Sequence, residues 1–514
     1  MKRNIAANYI GTFWTAAIQI LVIPAYIHFL GMEAYGLIGF YSTLQMWLML
    51  MDFGFTPTIS REMARYRGGV SGAGYIYALL HALEVACLLM ALIGFVIVSV
   101  GAGWLSRNWF NLHRLTTHEV QISLVAMSGV IVTRWMSNFY RGALQGLQRQ
   151  VWLNAVWVVF VSLRSLGVIA ILAWVSPTIA AYFIYMGAVS VAEVVVMRIG
   201  VIRCLPTDRG SSPRLQDLLK NHGNFAGGMA VLSVLGVAIS QSDKIVLSKL
   251  LPLKEFGYYA LATVMANGLL AVVMPVFSAV TPRLTEDAAR GDLEDLVRSY
   301  QTGTDLLAIL VFPLAGMLIF LGGPLISAWS GQQGLAPHVA PYLALLALGT
   351  TFYCLAHMPY GLSLAYAWTR LPISLNAVTV VILIPALIWL VPKYGPMAAA
   401  SMWVFINCVG LAIQMLAVHR RFLPKGESRR WVNFTIIYPI LTVGVVFEAA
   451  RLLYFTEFAT PGRISTAAYI LSVVILTIIL LALMIPTGRR GILRSRQWAE
   501  RWMRSLKTPP SQAS

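Results

Sequence analysis

From its first residues to about residue 486, the chain is a succession of apolar stretches, most of them about 20 residues or longer, joined by short polar segments. A helix rises about 1.5 Å per residue, so about 20 apolar residues cross a hydrocarbon core of about 30 Å. Lipid offers no hydrogen bonds to a peptide backbone, so such stretches satisfy their own groups by forming helices. With 58% hydrophobic and 11% charged residues over 514 positions, polar side chains are too few to cover a water-soluble protein of this length. Breaks at Gly, Pro and charge clusters predict helices near 5–30, 34–59, 74–104, 119–141, 150–175, 178–202, 222–250, 256–280, 299–321, 338–367, 371–391, 396–419, 431–455 and 464–486. The expected fold class is an all-α polytopic membrane protein of about fourteen transmembrane helices. Residues 5–30 follow Met1-Lys2-Arg3 and outrun a cleavable signal core, so they read as the first span.

Lys and Arg orient the bundle, because cytoplasmic segments retain them. With both termini cytoplasmic, inner segments hold 28 of the 38, outer loops hold six (Arg107, Arg114, Lys249, Lys254, Lys393, Arg463), and spans hold four (Arg134, Arg164, Lys244, Arg451). The net charge of +18 therefore sits between spans rather than on one polar face, and no nucleic-acid partner is expected. Cys87, Cys204, Cys354 and Cys408 stand singly, so neither a disulfide framework nor a metal site is expected. In the tail, Ile492, Trp498, Trp502 and Leu506 fall roughly on one helical face among arginines, as in a helix lying on an anionic leaflet; a disordered basic tail is the alternative.

The chain also repeats itself. LGMEAYG at 30–36 precedes a span carrying Gln45 and ending near Arg61; LPLKEFG at 251–257 precedes one carrying Asn267 and ending near Arg283. Gln45 and Asn267, like Arg61 and Arg283, are 222 residues apart, and the Glu-Ala-Tyr-Gly and Lys-Glu-Phe-Gly blocks 221. A displacement of six helices enters the membrane in the same direction, which predicts two pseudo-symmetric six-helix lobes facing a central cavity, plus two C-terminal helices. The expected organisation is a lobe over 1–203, a cytoplasmic linker at 204–220, a lobe over 221–420, two helices within 431–486 and a basic amphipathic tail at 487–514.

Polar residues within the spans mark the candidate interior. Asn4, Asn8, Thr12, Thr15 and Gln19 form a stripe at three- and four-residue spacings, and Gln45, Asn138 and Ser240 extend the set of cavity-lining candidates. Hydrogen bonding between helices is the other reading of any single member. Charges within a membrane are costly and usually face a cavity or a partner. Arg134, which shares a helix face with Asn138 and Arg141, is joined by Arg164 and Lys244 as candidates for holding an anionic head group. Pairing with Asp243, Glu84, Glu193 or Asp305 is the structural alternative; Arg451 and Glu448, three apart, read as a local pair. Asp52, Asp243, Glu84 and His81 are the titratable candidates for coupling or gating.

Several chemistries are missing from the sequence. GGVSGAG at 68–74 lacks the Lys and Ser/Thr of a phosphate loop, and there is no HExxH or GxSxG. The longest expected outer loop, 322–337, carries no carboxylate, leaving no evident place for a glycan-processing site.

Asn8 and Pro24, LGMEAYG at 30–36, Asp52-Phe53-Gly54 followed by Arg61, SDKIVLSKLLP at 242–252 and FGYYALA at 256–262 together resemble the polysaccharide transporter family of the multidrug, oligosaccharidyl-lipid and polysaccharide exporter superfamily. The resemblance covers nearly the whole chain. It implies a non-enzymatic flippase of the bacterial inner membrane that carries undecaprenyl-diphosphate-linked oligosaccharide (O-antigen, capsule or exopolysaccharide units) outward by alternating access. Arg61, Arg134, Arg164, Lys244 and Asp243 carry over by position as cavity or gate residues. No cofactor is implied; coupling to membrane potential, H+ or Na+ stays open, as does partnership with a glycan polymerase and chain-length proteins. Rival readings are a cation-coupled drug exporter, disfavoured because residues 5–30 contain no acid, a peptidoglycan-precursor flippase, and a membrane-embedded glycan polymerase or ligase.

Overall fold

The computed structural model describes residues 2–49, 54–69, 72–205, 223–332, 334–457 and 462–489. Asp52, most of the expected linker and the tail residues Ile492 to Leu506 lie outside them, as do the side chains of Asn4, Asn8 and Thr12. The described chain runs α1 (Lys2–Met49), α2 (Phe55–Arg67), α3 (Ala73–Asn108), α4 (Thr117–Gly146), α5 (Gln150–Trp174), α6 (Ile179–Ile202), α7 (Gly223–Leu250), α8 (Leu253–Asn267), α9 (Leu270–Arg290), α10 (Leu293–Phe320), α11 (Gly322–Ser330), α12 (Ala336–Ala365), α13 (Arg370–Tyr394), α14 (Pro396–Phe422), α15 (Glu427–Trp431), α16 (Tyr438–Glu457) and α17 (Arg463–Met484).

Among the described residues, 12 helical segments are long and apolar enough to cross a membrane. The first of them holds two expected spans, joined within α1 at a kink where Gly31 takes a φ of 77° that only glycine adopts cheaply. The 28-residue α7 supplies the other expected span outside the 12.

Four expectations need correction. The span at 34–59 is not one helix: α1 ends at Met49, and α2 begins after Gly54, which is left-handed at φ 81°. The span at 256–280 is divided too, between α8 and α9, where the amides of Gly268 and Leu269 bond three residues back, each at 3.1 Å, instead of four. The outer loop at 322–337 contains α11, and the expected helix at 431–455 is entered through α15 and a π-helical turn at Val432–Ile437.

The molecule divides into Met1–Gly257 and Tyr258–Ser514. In the first unit α4 packs along α3 and α6, and α1 along α5. The short α2 lies across the end of α4, burying Ile59 and Met63 against Ile76, Leu80, Tyr140 and Leu144. Glycines permit this approach, since a Cβ on Gly146 would stand 2.8 Å from Met63 Cβ and one on Gly142 2.9 Å from the Thr56 carbonyl. Gly146→Val should therefore destabilise the first unit by about 1–3 kcal/mol through overpacking, visible as a lower unfolding midpoint in detergent.

Two segments that the sequence pairs as a repeat touch reciprocally inside this unit. Gly36 abuts the carbonyl of Leu253, and Gly257 abuts the carbonyl of Met32. The two pairs are related by the 221-residue displacement, as residues i and j exchange partners in an isologous interface. The same end is closed by the 108–114 segment. The Leu253 amide bonds Asn111 O at 3.1 Å, Trp109 Nε1 donates to Ser248 Oγ at 3.1 Å, and buried Glu33 accepts the amides of His113 and Arg114, both at 2.7 Å.

In the second unit, α10 is central, with buried Asp305 accepting from Arg430 at 2.8 Å and Thr487 at 2.6 Å, and buried Tyr300 bonded to His419 Nε2 at 2.8 Å. These bonds tie α15 and the end of α14 to α10.

Candidate functional site

Three guanidiniums gather on one indole. Arg134 and Arg141, seven residues apart on α4, share a helix face, and so do Trp157 and Arg164, seven apart on α5. Facing packing brings the guanidinium carbons of Arg141, Arg164 and Arg134 to 4.2, 5.6 and 5.8 Å from the Trp157 ring centre, all within cation–π range. Trp157 is itself held by its Nε1, which donates to Thr15 Oγ1 on α1 at 3.1 Å. Two further bonds fix α1 on α5: Trp14 Nε1 to Ser162 Oγ at 2.9 Å and Tyr26 OH to Ser165 O at 3.0 Å.

One carboxylate accompanies the three cations. Arg164 Nη1 pairs with Glu193 Oε2 of α6, and the two side chains are 4% and 1% exposed. The neighbourhood also includes Tyr41 of α1, near Arg134 and Arg164, while Glu193 lies within electrostatic reach of Arg141. Three buried polar atoms here have no hydrogen-bond partner: Arg134 Nε, Arg164 Nη2 and Glu193 Oε1. Among the described residues no acid comes within ion-pair distance of Arg134 or Arg141. The group therefore carries a net charge of about +2 in a membrane-embedded setting, a strong field for an anion because the low dielectric screens it poorly.

Beside it opens a cavity of about 390 Å³, lined by Thr56, Pro57, Trp135, Asn138, Arg141, Gly142 and Gln145. Arg141 thus belongs to both the indole cluster and the cavity wall. The cavity is large enough for a phosphorylated head group and sits where α2 crosses α4.

The other sequence-derived candidates are dispersed. Thr15 back-bonds to Gly11 O at 2.7 Å as well as accepting from Trp157, so it holds the site rather than lining the cavity. Gln19 is exposed, Gln45 half-buried, and Asn138 lines the cavity. Arg61 is exposed on α2. Lys244 is engaged locally, by Ser240 O at 2.7 Å and by Asp243 at 3.2 Å. Ser240 Oγ bonds Val237 O at 3.3 Å. Glu84 joins Arg198 at 2.6 Å, the Tyr140 hydroxyl at 2.5 Å and His81 at 3.4 Å, a network that pins α3, α4 and α6 together. Arg451 and Glu448 pair at 2.6 Å.

Sequence reasoning did not single out Trp157, although an aromatic residue one heptad before an intramembrane Arg was a usable signal. It named Arg141 only as a neighbour and Glu193 only as one of four possible partners.

A family model described as polysaccharide biosynthesis protein matches residues 1–286, and a MatE model matches residues 229–389. An uncharacterized membrane protein, EpsK of Bacillus subtilis (strain 168), is 22% identical over 435 residues, 83% of each chain. Among solved structures, the lipid II flippase MurJ in an inward closed conformation superposes with a TM-score of 0.69 at 14% identity, covering 94% of this chain and 98% of that one. An inward-facing MATE family multidrug resistance transporter gives 0.60 at 15% identity, covering 79% and 94%. At these identities the structures establish a shared fold.

Proposed function

We infer from a chain that belongs to the polysaccharide biosynthesis protein family, and so to the transporters of the multidrug, oligosaccharidyl-lipid and polysaccharide exporter superfamily, that its cargo is a polyprenyl-diphosphate-linked oligosaccharide moved from the inner to the outer leaflet of the bacterial inner membrane. One observation carries this reading: Arg134, Arg141 and Arg164 converge on Trp157 with one carboxylate between them, inside a membrane-embedded unit. Guanidiniums bind phosphate oxygens through forked N–H donors, and the excess of positive charge suits a diphosphate rather than a cationic drug. The sugar would occupy the polar cavity beside Arg141 while the polyprenyl tail stays in lipid. The Lys/Arg distribution supports cytoplasmic termini.

The test is reconstitution in sealed vesicles with a fluorescent undecaprenyl-diphosphate-linked trisaccharide, scored by its accessibility to an external quencher. Leaflet exchange above protein-free vesicles is expected. A potential negative on the cargo's starting side should accelerate it, since moving one charge is worth about 2.3 kcal/mol per 100 mV. Absence of exchange in folded, reconstituted protein overturns the reading.

A further inference from the structure

We propose that Glu193 is a specificity-determining residue: it limits the charge capacity of the arginine site to two, so that the site prefers a sugar-bearing diphosphate diester to the bare prenyl diphosphate. The proposal rests on the head-group reading above and deepens it. Three guanidiniums alone would present three positive charges. Glu193, paired with Arg164 and almost wholly buried, subtracts one. It faces Arg164 from α5 and Arg141 from α4, with Arg134 and Tyr41 completing the surroundings, and the acid of α3, Glu84, is committed to Arg198, His81 and Tyr140.

The site is also incomplete as it stands. Arg134 Nε and Arg164 Nη2 are buried donors without acceptors, which a phosphate oxygen would satisfy. Glu193 Oε1 is a buried acceptor without a donor, and it turns a carboxylate lone pair toward anything bound there.

The cargo's chemistry gives this count its meaning. A diphosphate bonded to prenyl on one side and sugar on the other is a diester with two ionised oxygens, so its charge of about −2 matches the site. The same lipid without its sugar is a monoester. Its additional oxygen ionises near neutrality, bringing a third charge that the site cannot neutralise and that Glu193 repels. Discrimination arises from the mismatch rather than from sugar contacts, because specificity is a difference between affinities and an unpaired charge in a low-dielectric site weighs heavily. Loaded carrier would enter while bare carrier, differing only at the head group, would be refused.

Binding of two short-chain probes to the full-length protein in nanodiscs tests this: citronellyl diphosphate linked to N-acetylglucosamine, and citronellyl diphosphate alone. At pH 8 the wild type should bind the diester at least tenfold tighter. At pH 5.5, where the bare probe loses its third charge, the preference should shrink to a few-fold. Glu193→Gln, which raises the site to three positive charges, should equalise or invert the preference at pH 8. Arg164→Met/Glu193→Met keeps a net charge of two from Arg134 and Arg141 but removes one phosphate-binding guanidinium, so both probes should bind more weakly while the diester stays preferred; a merely structural role for the pair predicts loss of the preference. Equal wild-type affinity for both probes at pH 8 overturns the proposal while leaving the head-group reading intact. Binding of neither probe overturns both. The wild-type comparison decides the matter even if Glu193→Gln does not fold.

Discussion

Arg164→Ala is expected to deplete the protein from the membrane, whereas Arg141→Ala should leave it folded and unable to transport. The two residues sit on the same indole, yet their surroundings differ. Arg164 is nearly inaccessible and neutralises an equally buried Glu193. Removing one member of such a pair leaves an uncompensated charge in a low-dielectric interior, at a cost of about 3–5 kcal/mol. Total stabilities are about 5–15 kcal/mol, so this loss is large enough to lower folded yield severalfold. Among the described residues Arg141 has no acid in ion-pair distance, and it is half-buried and lines the cavity. Its truncation forfeits a cation–π contact of about 0.5–1 kcal/mol and little else in stability. It removes a full charge from the anion site, and transport should fall by about a hundredfold or more if each charge-assisted bond is worth about 1.5–3 kcal/mol and two are lost. Fluorescence-detected gel filtration against temperature, run beside the vesicle assay, separates these outcomes. Arg164→Met/Glu193→Met should recover the yield, because replacing a whole buried pair by apolar side chains of similar size is often neutral. Normal yield from Arg164→Ala would mean that Glu193 finds another partner.

That contrast also shows how far the sequence can be read. Periodicity placed Arg134, Asn138 and Arg141 on one face of α4, because a helix face is a local property fixed by 3.6 residues per turn. It left the partner of Arg164 open among four acids, because which helix lies against α5 depends on packing between elements distant in the chain. Trp157 was passed over for a similar reason: an indole in an apolar stretch reads as ordinary hydrophobic bulk until three cations are found around it. The Lys244–Asp243 pair is one of two readings that adjacency in sequence leaves open, since helix neighbours point about 100° apart, and the structure joins the two side chains at 3.2 Å. Helix existence was legible throughout, since the membrane imposes one length and one polarity. The breaks at Gly54 and after Asn267 were not, because a left-handed glycine or a tightened turn interrupts geometry without interrupting hydrophobicity.

Gly36→Leu is expected to abolish transport by holding the contact between residues 30–36 and 251–257 open. The backbones meet there closely: a Cβ on Gly257 would stand 3.2 Å from the Gly36 amide nitrogen, and one on Gly36 3.2 Å from Leu253 Cγ, beside the carbonyls already noted. A carrier that exposes its cargo to each leaflet in turn must close and open this end once per cycle on the alternating-access reading. Leucine at 36 cannot enter the closed contact without pushing the 251–257 segment away, at about 1–3 kcal/mol. Such a bias alone shifts a two-state equilibrium by about five- to 150-fold. The open state should tolerate the change, since leucine ranks well above glycine as a helix former. Protein yield should therefore hold while transport falls. Gly257→Leu should do the same through the reciprocal contact, and the double variant should be less than additive, since both substitutions obstruct one closure. The readout is labelling of a cysteine placed at Leu253, a fully buried position, by a membrane-impermeant maleimide, in a background where Cys87, Cys204, Cys354 and Cys408 are replaced. Labelling should rise at least tenfold in Gly36→Leu over the parent. Unchanged labelling together with normal transport would show that this contact stays shut throughout the cycle, and that opening occurs elsewhere.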